Sequence, residues 1–127
     1  MDKYSQQAHL LKVLAHPVRL RILDLLRYSD ECVCHLSVAL GKSQPYVSQQ
    51  LAVLRHAGII VDRKEGTNVF YSLADERVAR YLDAFLGPAN QYASRQAMAN
   101  CWCPKCLSGS LAHSMASTGI GASVIGV

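Results

Sequence analysis

Five cysteines stand at positions 32, 34, 101, 103 and 106, an odd number gathered into two tight groups. In a reducing compartment such grouping points to metal ligation or thiol switching rather than to a disulfide framework. Thiolates of Cys32-Val33-Cys34 would hold a soft ion well, because sulfur is polarizable. A third sulfur would complete the trigonal site that trivalent arsenic or antimony favours, and a fourth would suit cadmium, lead or zinc. The candidate ligands are Cys32, Cys34, Cys101, Cys103 and Cys106, in either one site or a separate distal one. On a regular helix residues two apart point about 200° from each other, so shared coordination by Cys32 and Cys34 predicts an irregular backbone at Cys32. The alternative chemistry is oxidative: a thiol at a helix N-terminus can be acidified by the dipole and serve as a disulfide, persulfide or peroxide sensor. The plain reading of a cysteine as a small buried hydrophobe suits an isolated residue better than two Cys-x-Cys pairs.

A second set of residues has the composition to read nucleic acid. At about 100° per residue, Gln44, Ser48, Ala52 and Arg55 share one helix face, with Gln49 about 60° beyond it. Val47, Leu51 and Leu54 form a separate apolar set. Glutamine can pair bidentately with adenine and arginine with guanine, while serine reaches phosphate or base. An ordinary solvated face would look similar, but a hairpin carrying Arg63, Lys64, Thr67 and Asn68 follows at once, and such a tip suits phosphate or the minor groove. The candidate DNA-binding residues are therefore Gln44, Ser48, Gln49, Arg55, Arg63 and Lys64.

The elements that must position these groups follow from periodicity and punctuation. Helical spacing runs from Gln6 to Leu14 and resumes after Pro17, with Val18, Ile22, Leu25 and Leu26 on the buried side. Ser29 or Asp30 can cap a third helix from about Glu31 to Leu40, which would carry both proximal cysteines in its first turn. Gly41 ends it, Ser43 caps a fourth, and Gly58 stops that one. Two strands then alternate, Ile59 to Lys64 and Asn68 to Leu73, with Glu65-Gly66 at the turn, before a last helix from about Asp75 to Leu86. The fold class is mainly α with a small β-hairpin, a winged helix-turn-helix. The 127 residues, 50% hydrophobic, suit one core. Residues 1–88 are expected to form the DNA-binding and dimerisation domain. Residues 89–127 are expected to form an extension holding a short helix near 91–99, the distal cysteines and a flexible Gly/Ser/Ala tail.

A formal charge of +4 suits a polyanionic partner, and neither a long apolar run nor a signal-peptide core is seen, so a cytoplasmic protein without membrane partners is expected. Enzyme classes fare poorly. Cys103-Pro104-Lys105-Cys106 has the spacing of a thiol oxidoreductase, the rival class, but lacks the βαβ setting that motif needs. No Ser/His/Asp set, Gly-rich phosphate loop or paired-carboxylate site accompanies it.

The order Glu31-Cys32-Val33-Cys34-His35-Leu36, Ser43-Gln44-Pro45-Tyr46-Val47-Ser48-Gln49-Gln50-Leu51, Leu54-Arg55-His56-Ala57-Gly58-Ile59-Ile60 and Gly66-Thr67-Asn68-Val69-Phe70-Tyr71-Ser72-Leu73 resembles the ArsR/SmtB family of metalloregulatory repressors. So does Leu14-Ala15-His16-Pro17-Val18-Arg19-Leu20. The resemblance implies a homodimer built on the first and last core helices. It would bind double-stranded operator DNA at an inverted repeat and leave when an inducer binds. The implied inducer is a soft metal or metalloid, arsenite or antimonite first and cadmium, lead or zinc next. DNA binding would need no cofactor, and no small organic substrate is implied. Base contacts would come from Gln44, Ser48 and Gln49, with Gln49-Gln50 where many members carry a histidine. Cys32 and Cys34 match the family's thiolate pair. Ser37 stands where arsenic sensors often have a further cysteine, so a third ligand must come from elsewhere. The family's other metal site needs Asp and His on the last helix; Asp75, Glu76 and Asp83 are present without a histidine, so that site is expected to be absent.

Overall fold

Short capping interactions set where each helix begins. In the computed structural model, which describes residues 2–88, the Asp2 carboxylate accepts from the Ser5 N–H at 2.7 Å and starts α1 (Lys3–Leu14), earlier than its apolar spacing suggests. The imidazole Nδ1 of His16 accepts from the Val18 N–H at 3.2 Å, and Pro17 opens α2 (Pro17–Leu26) where its missing N–H costs nothing. His16 thus has a structural role. Ser43 caps α4 (Gln44–His56) through the Tyr46 N–H, and Asp75 caps α5 (Glu76–Leu86) through the Arg77 N–H at 2.9 Å.

The third helix departs from the sequence expectation. Glu31–Cys32 is not its first turn but a two-residue strand, β1, and the helix proper is α3 (Val33–Leu40). Neither Ser29 nor Asp30 is the cap. Cys32 takes that place with extended backbone (φ −91°, ψ 164°), its sulfur accepting from the His35 N–H at 3.4 Å. The cause is tertiary: Glu31 and Cys32 pair antiparallel with Tyr71 and Phe70 of the hairpin, which holds them extended.

The hairpin consists of β2 (Ile60–Glu65) and β3 (Asn68–Leu73), and the sheet order is β1-β3-β2. Glu65 pairs with Asn68, so the two-residue turn is Gly66-Thr67 rather than Glu65-Gly66. Gly66 takes φ 62°, a conformation that side chains with a Cβ rarely adopt. Between α3 and α4, Gly41 ends the helix at φ 66° and completes the helix-turn-helix.

The core joins these elements. Ile22 and Leu23 of α2, Leu36 of α3, and Val47, Leu51 and Leu54 of α4 are almost fully buried with Ile59, Ile60, Val78 and Leu82. Burial of this set is the main force seating α4, at about 1.5–3 kcal/mol for each large aliphatic side chain. The Arg27 guanidinium joins α2 to α5, donating to Asp24 at 2.5 Å, to Asp83 at 2.7 Å and to the Gly87 carbonyl at 2.7 Å. Among the described residues no helix is long and apolar enough to cross a membrane. The extension at 89–127, including the helix expected near 91–99, lies outside the described residues.

Candidate nucleic-acid interface and thiol site

Burial divides α4 into two sides. Val47, Leu51 and Leu54 face the core, while Gln44, Ser48, Gln49 and Arg55 are exposed and Ala52 is half-buried among them. The residue between the two sides is used structurally. Gln50 accepts from the Arg19 Nε–H at 2.9 Å, and Arg19 also donates to the Val13 carbonyl at 2.9 Å, tying α4 to α2 and the end of α1. The outward face is thus an array of two amides and a hydroxyl on a helix held from behind.

The two arginines expected to meet DNA are engaged within the chain. Arg55 donates to Asp62 of β2 at 3.2 Å. Asp62 stands opposite Tyr71 in the hairpin, and the half-buried Tyr71 hydroxyl is pushed above its ordinary pKa by burial and by the nearby Asp62 carboxylate. Arg63 donates to Glu65 at 2.7 Å and to Asp30, and its guanidinium lies over the Phe70 ring, 5.4 Å from the centroid. The hydrogen bonds that Arg63 donates to Glu65 and Asp30 raise its pKa and keep it a cation. Lys64 is exposed and makes no ion pair among the described residues. Adjacent strand residues alternate in direction, so Arg63 and Lys64 serve opposite faces of β2.

The proximal cysteines stand where the wing meets the helix-turn-helix. Cys32 is 3% exposed and pairs in register with Phe70, whereas Cys34, in the first turn of α3, is half-buried. The irregular backbone that shared coordination requires is present at Cys32. Beside it, the His35 imidazole Nδ1 and the Glu31 carboxylate meet at 2.6 Å, both buried. Among the described residues no group of three or more His, Cys, Asp and Glu side chains is placed to hold a metal ion. Cys101, Cys103 and Cys106 lie outside the described residues.

Sequence reasoning gave Asp30 only a capping role and Glu31 only a place in a helix, and it passed over Asp62. For Asp30 and Asp62 a signal was present, since both are carboxylates close to the hairpin's cations. For Glu31 there was none, because a buried glutamate and an exposed one look alike in one sequence.

Residues 16–61 match the model of the bacterial regulatory protein arsR family. Over 85 residues the chain is 44% identical to the biofilm growth-associated repressor of Agrobacterium fabrum, covering 66% of this chain and 73% of that protein. It is 46% identical over 76 residues to the transcriptional repressor SmtB of Mycobacterium tuberculosis, covering 59% of this chain and 56% of the other. Among solved structures it resembles the homodimeric winged helix-turn-helix DNA-binding domain of a possible ArsR-family regulator from Mycobacterium bovis. That likeness has a TM-score of 0.59 and 36% identity, over 64% of this chain and 75% of that one. These relatives are regulators of transcription, and the fold here has their helix order, turn and wing. The chain therefore belongs to the ArsR/SmtB family of winged helix-turn-helix transcriptional regulators and is not an enzyme.

Proposed function

We propose that the protein is a homodimeric repressor that binds an inverted-repeat operator through α4 and the wing, and is released when a soft metal or metalloid is captured by cysteine thiolates. The observation that carries the DNA half is the division of α4: Gln44, Ser48 and Gln49 are exposed on a helix whose other side is locked by Val47, Leu51 and Leu54. A rigid helix with an amide-rich outer face suits major-groove readout, and Lys64 on the adjoining wing suits a backbone phosphate. Arg55 and Arg63 are assigned to the DNA interface as well, Arg63 from the opposite face of β2, and each must leave a carboxylate partner to reach DNA. Dimerisation is in keeping with the homodimeric domain from Mycobacterium bovis and with the exposed Tyr4 and Leu11 of α1 and Phe85 and Leu86 of α5.

The inducer half rests on Cys32. Its extended backbone frees Cys32 and Cys34 from the fixed opposed directions of a regular helix, which is in keeping with a shared soft ion such as arsenite, antimonite, cadmium, lead or zinc. Ligands beyond that pair are assigned to Cys101, Cys103 and Cys106. Because Cys32 is paired to Phe70, bonds that displace β1 would also disturb the wing, and the coupling would be reciprocal between inducer and DNA. A second reading, a thiol-redox or reactive-sulfur switch, is favoured by the place of Cys32 at the N-terminus of α3, two residues from the half-buried Cys34.

Titration of the reduced, operator-bound protein with arsenite, cadmium, lead and zinc, and separately with peroxide and polysulfide, tests both halves. Release by a soft ion that is lost in Cys32→Ser and Cys34→Ser supports the metal reading. Release by oxidant alone, reversed by a dithiol, replaces it with the redox one, and failure to bind any duplex from upstream of its own gene overturns the DNA half.

A further inference from the structure

We infer that Asp30 is a positioning residue that restrains the wing, lowering DNA affinity by holding the Arg63 guanidinium away from phosphate. The inference rests on the DNA-binding reading above and adds a residue to it.

Arg63 lies in the middle of β2, opposite Phe70, and is about half exposed. Three groups engage it: Glu65 two residues along the same strand, the face of the Phe70 ring, and Asp30 from the loop that leads into β1. Two carboxylates on one guanidinium leave a local charge of −1 where the sequence suggests +1. DNA approaching this face meets Asp30 and Glu65 as well as the cation. For Arg63 to neutralise a phosphate and release its counterion, it must part from at least one of them.

Glu65 belongs to β2 itself, whereas Asp30 lies in the loop before β1. It stands 33 residues away in the chain, beside Glu31 and Cys32, so it joins the hairpin to the segment preceding α3. The stack of Arg63 on Phe70 fixes the guanidinium within reach of that loop. An exposed pair contributes little to folding, which leaves its charge free to tune DNA binding.

The test uses the full-length reduced protein and a labelled duplex from upstream of its own gene, with affinity measured over a range of salt. Asp30→Asn should bind roughly three- to tenfold more tightly, and its log–log salt slope should steepen by about 0.9, the value of one added phosphate contact. Asp30→Glu should restore the wild-type slope. In an Arg63→Gln background, Asp30→Asn should change neither quantity, because its effect passes through that guanidinium. Unchanged or weaker binding by Asp30→Asn overturns the inference, as does an equal gain in the Arg63→Gln background, which would mark a general charge effect. If Asp30→Asn leaves affinity and slope unchanged while Gln44→Ala loses affinity, the inference falls and the recognition-helix reading stands. If the wild-type protein binds no such duplex, both fall.

Discussion

Nδ1 of His35, in the first turn of α3, lies 2.6 Å from Oε1 of Glu31 in β1, and the two side chains are 1% and 0% exposed. A buried polar pair of this kind is costly to break and cheap to replace, because removing one member leaves the other desolvated without this bond. Glu31→Ala and His35→Ala should each lose about 3 kcal/mol of stability. Replacing both residues with leucine should cost less than the two single losses combined. Urea unfolding of the three variants checks this, and strictly additive losses would show that the pair is not coupled.

Cys32 combines two roles that substitution can separate. Its sulfur caps α3 by accepting from the His35 N–H, a task that a serine hydroxyl performs at least as well. Cys32→Ser should keep its melting temperature and operator affinity while losing the response to thiol-directed inducers. Cys32→Ala should lose about 1 kcal/mol as well, from the missing cap. Thermal melts alongside DNA-release titrations distinguish the two, and a fully inducible Cys32→Ser would exclude this thiol from sensing.

Direct readout and phosphate contact should differ in their response to salt. Gln44→Ala should weaken binding to the specific duplex by about 1–3 kcal/mol without changing the salt slope. Lys64→Gln should weaken specific and scrambled duplexes alike and reduce the slope by about 0.9. Affinities measured at several salt concentrations separate these outcomes. Equal losses on both duplexes for Gln44→Ala would remove it from base recognition.

The start of α5 should be acid-sensitive. Hydrogen bonds from the Arg77 side chain hold the Asp75 carboxyl below its ordinary pKa of 3.8, against the opposing effect of burial. A carboxyl depressed in the folded state stabilises fully above its unfolded pKa, and that contribution fades as pH falls through the folded value. Asp75→Asn keeps a cap acceptor but not the charge, so its stability deficit should be constant near neutrality and shrink below about pH 3.8. Urea midpoints across that range give the answer, and a deficit that widens in acid would reverse the assignment.

Much of this architecture is local and can be read along the chain. Val47, Leu51 and Leu54 at helical spacing mark the buried side of α4, and Gly41 and Gly58 mark where helices stop, because a helix's periodicity and its left-handed stop belong to neighbouring residues. The exposed set Gln44, Ser48 and Gln49 follows from the same periodicity, as does the alternation of the hairpin. What the tertiary structure alone decided lies at the junction between the halves. Cys32 is extended because Phe70, distant in sequence, supplies its strand partner, and no propensity of Glu31-Cys32 encodes a two-residue strand without that neighbour. The engagement of Arg63 by Asp30 depends in the same way on two segments meeting in space. A charge can be counted from sequence, but whether it faces water, phosphate or a carboxylate is set by what the fold brings beside it.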